Sequence, residues 1–425
     1  MLSRLTTCVP AAAPKPRLSS KDYSMTEQYQ YAVVGAGRQG VAAAYDMAKW
    51  GNAAGILLMD ANREAAVQAV ERINHLIGRE AATAAQVDVR DHHALVEQLK
   101  SVDVFLCAVP FVFILDCMRA AIEARASMVD LGGHTGTTLK QIGMSDEACA
   151  AGITVVPDCG MGPGMNNTLG VYAIEQLQAR GAAPREVRLW DGGLPQNPPE
   201  PWGYQCSFHI NGLTNEYDGQ ALVLRGGVVM PVDALTEPEF LEFEGIGTLE
   251  AFVTSGGTST VPYTYEGVLQ VYENKTLRYP GHYRQFKAFK DLGLFREEPL
   301  TVAPGLTITP RQVYHALLAP SIEVERVIDI CVMRAKGTGE KDGKDLSLVI
   351  DLIDRYDAET GFTAMERLTG WHAAIMAQFI AQGAIPPGVW PLEKAVSAAR
   401  FLEEVRRRGF YITERWEEGA SAPPA

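Results

Sequence analysis

Seven cysteines in 425 residues, none of them in a CxxC pair, are too few and too scattered for a disulfide scaffold or a zinc knuckle. They stand at positions 8, 107, 117, 149, 159, 206 and 331, mostly within apolar runs. That pattern predicts reduced, buried thiols, a cytoplasmic setting and no metal site. Positive charge is also short: 38 Lys and Arg face 51 Asp and Glu, a formal net charge of −13. The deficit excludes a general affinity for nucleic acid or for an anionic membrane, both of which need clustered cations. Nowhere does the chain hold the roughly 18 consecutive apolar residues that span a bilayer, so no membrane partner is expected. Internal repeats are missing too. Residues 1–24 contain one acid, Asp22, among Ala, Pro, Ser and basic residues. They weakly resemble a transit peptide, lack an apolar secretion segment, and are expected to be a disordered extension ahead of Met25.

What remains is an ordinary globular composition, 47% apolar and 21% charged, long enough for two cores. From residue 31 short apolar runs alternate with helical patterns: YAVVG (31–35), GILLMD (55–60), AAQVDV (84–89), VDVFLCAV (102–109), ASMVDLGG (126–133) and GITVVPD (152–158). Helical periodicity fills the gaps at 40–50, 63–77 and 112–124. Strand–helix alternation predicts an α/β domain, a doubly wound parallel sheet over 25–165. Beyond it the runs are short, glycine-punctuated and without long helices. This predicts an α+β domain over 166–361 with a mostly antiparallel sheet, including a hairpin at the Asp342-Gly343 turn. Residues 362–415 read as terminal helices, and 416–425 as a disordered tail.

GAGRQG follows the first strand and opens the first helix. Gly35, Gly37 and Gly40 have the spacing that permits a tight turn, close approach of backbone to a pyrophosphate, and close helix–strand packing. Arg38 and Gln39 lie in the same turn, at a helix N-terminus that favours anions. Asp60, 20 residues after Gly40, predicts hydrogen bonds to ribose hydroxyls and therefore NAD in preference to NADP. Asp88, at the end of the third strand, is a candidate for the adenine side. Ala108, Val109 and Pro110 end the fourth strand and are candidates for the cofactor rim, as are Gly132 and Gly133 of the fifth.

A second glycine-rich turn, PDCGMGPGMNN (157–167), comes too late in the fold to hold the pyrophosphate. Gly160, Gly162 and Gly164 are expected to pack bare backbone beside the nicotinamide while the chain crosses to its second domain. His134 and Asp158, at the ends of the fifth and sixth strands, are the catalytic candidates. An imidazole exchanges protons near neutral pH, and a carboxylate can orient a base or hold an ammonium. The alternative for each is structural: a histidine donating to backbone, and a turn-capping aspartate.

The motifs DLGGHTG, PDCGMGPGMNNTL, EAFVTSGGTST, KTLRYPGH and TAMERLTGWHAAIMAQ together resemble the saccharopine dehydrogenase family over about residues 30 to 415. Within it they are most similar to the lysine 6-dehydrogenases. The resemblance implies a Rossmann domain, a central α+β domain, terminal helices returning to the first domain, and a homo-oligomer, dimer or larger. It also implies NAD-dependent oxidative deamination of the side-chain amine of L-lysine, or a close ω-amino acid, to a semialdehyde and ammonia. A saccharopine dehydrogenase acting on a secondary amine, and a non-catalytic dinucleotide-binding sensor, are the alternatives. An amino-acid substrate needs a cation for its α-carboxylate. Arg278 and Lys275 are the candidates, with His282 beside them and Tyr204 and Tyr217 as further contacts. The hydroxyl-rich turn Thr254, Ser255, Gly256, Thr258 offers a second anion seat, or a plain hairpin tip.

Overall fold

The computed structural model describes residues 28–206, 210–324 and 327–421, so the extension expected over 1–24 lies outside the described residues. The chain divides into two compact units. Among the described residues, unit 1 holds those up to Gly160 together with Thr369–Val396, and unit 2 holds those of Met161–Leu368 and those from Ser397 on.

Unit 1 is built on six strands in chain order, β1 (Tyr29–Val34), β2 (Ala53–Asp60), β3 (Ala82–Gln86), β4 (Val104–Cys107), β5 (Ser127–Asp130) and β6 (Thr154–Val156), and a late strand, Gly388–Val389. They lie in the spatial order β3-β2-β1-β4-β5-β6, with Gly388–Val389 outside β6, and every pairing is parallel. This is the expected doubly wound sheet. Its central strand reads as an unbroken apolar run because both faces are covered: Tyr31, Ala32 and Val33 have no exposed surface. Helix Arg38–Trp50 follows β1 and buries Ala42, Ala43 and Ala44, whose small side chains allow close packing. Helix Arg63–Ile77 starts and stops at the predicted residues. Asn62 caps it by accepting from Glu64 N (3.0 Å), and Gly78 ends it at φ 76°. The late helix His372–Ala381 joins the same unit, where Gln378 Nε2 donates to Asp46 Oδ1 (3.0 Å).

Unit 2 carries β7 (Ala183–Pro195), β8 (Gln220–Arg225), β9 (Val228–Asp233), β10 (Glu239–Phe243), β11 (Gly247–Phe252), β12 (Val271–Arg278), β13 (Leu300–Ala303), β14 (Leu306–Ile308), β15 (Asp329–Lys341) and β16 (Lys344–Arg355). The main sheet runs β10-β11-β12-β7-β15-β16 and ends on a C-terminal strand, Ile412–Ser421, while β8 pairs with β12 and β9. Among the described residues, β7 and β12 are its only parallel neighbours. The predicted hairpin joins β15 to β16, with Asp342 and Gly343 at φ 54° and 73°, as a two-residue turn of that twist requires.

Two boundaries are corrected. Of the expected returning segment 362–415, only 369–396 belongs to unit 1. Helix Ala398–Arg407 is anchored in unit 2, where Glu175 accepts from the backbone of Ala398 (2.9 Å) and Ala399 (2.8 Å) at its start. The expected disordered tail begins too early, since residues 412–421 pair with β16 as an edge strand. Its charges concealed it. Glu414 accepts from Tyr172 and Arg406, Glu417 pairs with Lys336, and the Arg180 guanidinium lies 3.6 Å from the Trp416 ring centroid. Charged residues are common on edge strands because they discourage further pairing.

Candidate active site

In unit 1 the glycine turn stands where β1 and β4 adjoin, the point at which the strand order reverses. Gly35 has φ 105°, and a Cβ there would lie 2.5 Å from the Ala108 carbonyl oxygen. A Cβ on Gly40 would lie 2.0 Å from the Gly35 oxygen. Around Gly37 there is open space, and as N-cap of helix Arg38–Trp50 it offers no side chain to that helix's first N–H groups. Nearby, Gln39 Oε1 is buried without a hydrogen-bond partner. Open N–H groups and an exposed arginine (Arg38) fit a pyrophosphate, and the orphaned Gln39 acceptor suits a hydroxyl of the same ligand.

Asp60 does something other than expected. Its Oδ2 accepts from Ala36 N (2.9 Å) and its Oδ1 from Asn62 N (2.8 Å), so both oxygens brace the turns that end β1 and β2. Asp88 is held in a fork by Arg90 (Nη2–Oδ2 2.5 Å), which pulls its carboxyl down to about 2. Ala108 and Val109 are half-buried and Pro110 is exposed. Phe111 follows and stacks on the His134 ring, centroids 4.9 Å apart. Gly132 and Gly133 take φ 71° and 102°, and a Cβ on Gly132 would lie 2.2 Å from Asp158 Oδ1.

The catalytic candidates sit close together on this rim, but not in the same condition. His134 is the N-cap of helix Thr135–Gly143, its Nδ1 accepting from Thr137 N (3.1 Å). That bond commits the Nδ1 lone pair to the start of the helix. The general-base expectation for His134 is therefore corrected to a helix cap. Asp158 is buried, at φ 64°, and accepts from Thr138 Oγ1 (3.2 Å). Beneath it lies a residue the sequence reading passed over as a carboxylate anchor. Asp130, fully buried, accepts from Gly132 N (2.9 Å), Asp158 N (3.2 Å) and Gln141 Nε2 (2.7 Å). Burial raises its carboxyl, with those bonds opposing. It ties the ends of β5 and β6 together.

In unit 2 the alternation of β12 decides which candidates converge. Tyr272, Asn274, Thr276 and Arg278 share one face, while Glu273 and Lys275 share the other. Lys275 Nζ is accordingly engaged by Glu239 (3.1 Å) and by the Glu237 carbonyl (3.0 Å), which corrects its assignment as a substrate cation. Arg278 is buried with 3% exposure. Its Nε donates to Tyr217 Oη (2.8 Å), Nη1 donates to the Leu277 carbonyl (2.9 Å), and Nη2 lies 3.6 Å from Glu216 Oε2. Tyr217 Oη, having accepted from arginine, donates to His282 Nε2 (2.9 Å), and His282 Nδ1 faces the Trp202 carbonyl (3.4 Å). Burial, then the charge of Arg278, lowers the His282 imidazole well below its usual range, so it stays neutral. Tyr204 presents its ring to the guanidinium at 5.0 Å. Arg278, His282, Tyr204 and Tyr217 thus form one cluster, with Glu216 beside it. Burial raises the Glu216 carboxyl to about 7 despite Arg278.

The hydroxyl-rich turn is a brace rather than an anion seat, a second correction. Thr254 Oγ1 bonds Thr276 Oγ1 (2.6 Å), Ser255 Oγ donates to the Asn215 carbonyl (2.7 Å), and Thr258 Oγ1 donates to the Leu222 carbonyl (2.6 Å). Gly256 takes φ 93° to make the bend. Asp191 of β7 and Asn166 were not foreseen beside this row. Asp191 is 7% exposed, accepts from Asn166 Nδ2 (3.4 Å), and is raised to about 6 by burial. Among the described residues no group of three or more His, Cys, Asp or Glu is placed to hold a metal, and no helix is long and apolar enough to cross a membrane.

Comparison with known proteins agrees with this layout. Residues 160–410 match the family model described as saccharopine dehydrogenase C-terminal domain, and 31–156 the one described as saccharopine dehydrogenase NADP binding domain. The chain belongs to the saccharopine dehydrogenase family. A relative from Pyricularia oryzae, "Saccharopine dehydrogenase [NADP(+), L-glutamate-forming]", is 25% identical over 231 residues, 52% of this chain and 50% of its own. Its Saccharomyces cerevisiae counterpart is 24% identical over 251 residues, 56% and 54% of the two chains. This chain therefore spans about half the length of the curated relatives it matches. The apo saccharopine dehydrogenase (L-Glu forming) structure from Saccharomyces cerevisiae superposes with a TM-score of 0.74 at 18% identity, over 92% of this chain and 100% of that one, and shows the shared fold.

These saccharopine dehydrogenase matches overturn the expectation of NAD. The dinucleotide half matches an NADP binding domain, and both relatives carry NADP(+) in their names. Asp60 braces backbone N–H groups with both its oxygens, while Arg38 and Arg63 stand exposed at the starts of the two flanking helices, where they suit a further phosphate.

Proposed function

We propose that this protein is an NADP-linked oxidoreductase that oxidises a carbon–nitrogen bond of an amino acid, with the glycine turn of unit 1 holding the dinucleotide and Arg278 of unit 2 holding the substrate's carboxylate. The observation that carries the reading is Arg278 itself. A guanidinium at 3% exposure, whose one carboxylate neighbour among the described residues is the weakened acid Glu216 at a long 3.6 Å, suits a ligand carboxylate. When bound, the nicotinamide supplies a hydride acceptor. The chain's own residues set the rest: the Tyr217–His282 relay fixes the guanidinium, and Asp158 is the rim carboxylate suited to take a proton from the reacting nitrogen. His134 orders helix Thr135–Gly143 instead.

The side-chain amine of L-lysine is the first substrate of this reading, because the polar row of β12 presents one buried cation, suited to one carboxylate. Saccharopine, a secondary amine with three carboxylates, is the second, supported by the relatives' names. Purified protein is mixed with NADP and lysine, ornithine or saccharopine, and reduced cofactor is followed by absorbance. Turnover of lysine alone supports the first substrate, and turnover of saccharopine alone replaces it with the second. With no signal from any amine, the protein is a dinucleotide-binding sensor and the reading falls. Asp158→Asn is expected to lower kcat at least about 100-fold, in the range of lost general-base catalysis. His134→Ala is expected to stay within roughly 10-fold, the cost of a cap.

A further inference from the structure

We infer that Asp191 and Asn274 form a seat for the α-ammonium group of an amino-acid zwitterion, beside the carboxylate seat at Arg278. The inference rests on the reading of Arg278 given above and names the substrate class more closely: a free α-amino acid, anchored by both charges, whose reacting nitrogen is a different one.

The two residues occupy neighbouring strands of one sheet. Asp191 on β7 pairs in register with Thr276 on β12, which lies between Asn274 and Arg278 on the same face. Same-face neighbours along a strand are about 6.6 Å apart, so Arg278 lies one such step beyond the pairing partner of Asp191. The charge of Arg278 reaches Asp191 and opposes the upward push of burial on its carboxyl. A carboxylate seat and an acceptor pair thus sit within one small group's span, in the order a zwitterion needs.

Both acceptors are under-used by the protein. Asn274, 5% exposed, keeps its Oδ1 buried without a partner. A buried amide oxygen left unmatched is costly to the fold, so its retention calls for a donor that arrives from outside. Asp191 accepts from two neutral amides, Asn274 and, at a long 3.4 Å, Asn166, and among the described residues no lysine or arginine pairs with it directly. An ammonium brings three donors and a positive charge, which is what the pair lacks.

The second glycine-rich turn, residues 157–167, borders the seat. Gly162 is exposed, yet a Cβ on it would lie 2.7 Å from Asp191 Oδ2 and 3.3 Å from Asn166 Nδ2. The bare backbone of Gly162 therefore packs directly on the carboxylate, and any larger residue would displace it. A surface cleft elsewhere in unit 2, lined by Asp218, Lys290, Glu297 and Arg311, offers nothing comparable, because its charges neutralise one another.

The test uses two unreactive probes on the full chain, L-norleucine and hexanoate, which differ only in the α-amino group, with affinities measured calorimetrically in the presence of NADP. The wild type is expected to prefer norleucine by at least about 10-fold, the scale of a charge-assisted hydrogen bond. Asp191→Asn, nearly isosteric, is expected to collapse that preference below about 2-fold while leaving hexanoate unchanged. Asn274→Ala reduces the preference by a smaller factor, and Gly162→Ala weakens norleucine alone. No preference in the wild type overturns the inference, as does an Asp191→Asn variant that keeps it or that loses both probes equally. The two readings fail separately. Arg278→Met binding hexanoate as well as the wild type removes the carboxylate seat, and absence of turnover removes the oxidoreductase, whereas only the norleucine-to-hexanoate ratio bears on Asp191.

Discussion

At the scale of single residues, the site is defined as much by missing atoms as by functional groups. Gly40 illustrates this. Its absent Cβ would occupy space 2.0 Å from the Gly35 oxygen and 3.0 Å from Val33 Cγ1, both deep in the unit 1 core. Gly40→Ala must therefore push the helix away from β1, moving the N–H groups that face the phosphates. NADP affinity is expected to fall at least 10-fold, with a stability loss of about 1–3 kcal/mol from overpacking, read by ligand titration and urea denaturation. An alanine variant that binds NADP normally would show that the turn tolerates the shift. Asp60 teaches a related lesson. Its position and identity matched the ribose-binding pattern, but sequence spacing does not reveal which donors a carboxylate has already met.

At the scale of elements, strand alternation separates residues that a linear motif groups together. KTLRYPGH looks like one basic cluster. On β12 its lysine and arginine lie three positions apart and face opposite ways. Lys275→Ala is expected to keep kcat/KM within about 3-fold, a surface ion pair contributing at most ~1 kcal/mol. Arg278→Met is expected to lower it at least 100-fold, most of it in KM, since a buried charged bond is lost. Equal losses in the two variants would place both cations on the substrate. The start of helix Ala364–Glu366 gives a second case. Asp329, from β15, accepts from Ala364 N (2.7 Å) and Met365 N (2.9 Å), joining sheet to helix across a long stretch of chain. Its replacement by Ala leaves two buried N–H groups unmatched and is expected to cost about 2–4 kcal/mol in chemical denaturation.

At the scale of the whole molecule, buried carboxyls set the pH dependence of stability. Burial raises Asp191 and Asp329 to about 6 and Asp354 to about 7. A raised carboxyl binds its proton more tightly when folded, so its stabilising effect is present at acid pH and is lost as pH rises from about 4 through 6–7. Buried His282 and His372 act oppositely, since their lowered imidazoles favour the folded state as pH rises toward 6.5. Three carboxyls against two imidazoles, which go on titrating through 6.5 in the unfolded chain, leave a small net fall between about pH 5 and 7.5. Thermal melts are expected to show a Tm slightly higher at pH 5.5 than at pH 7.5, and Asp354→Asn is expected to flatten that difference. A Tm that climbs steadily over this range would mean the imidazoles dominate. Glu216 should add little, because 37% of its side chain is exposed.

The parallel sheet, the glycine turn and the family resemblance were legible in the chain itself, because each is a local signal: apolar runs of strand length, a turn that excludes side chains, motifs of contiguous residues. The β15–β16 hairpin was legible for the same reason, since a two-residue turn needs Asp-Gly and nothing distant. The charged C-terminal strand, the return of only 369–396 to unit 1, and the membership of the Arg278 cluster were not. Their partners are set by sheet register across tens to hundreds of residues, as when Glu175 caps residue 398 or Asp191 comes level with Thr276. The amino acids dictated which groups were on hand. Tertiary pairing alone decided which of them would be satisfied by the protein, like Lys275 and Asp60, and which would be left with an unmet charge or lone pair for a ligand to fill, because burial and partnership are properties of neighbours in space rather than in sequence.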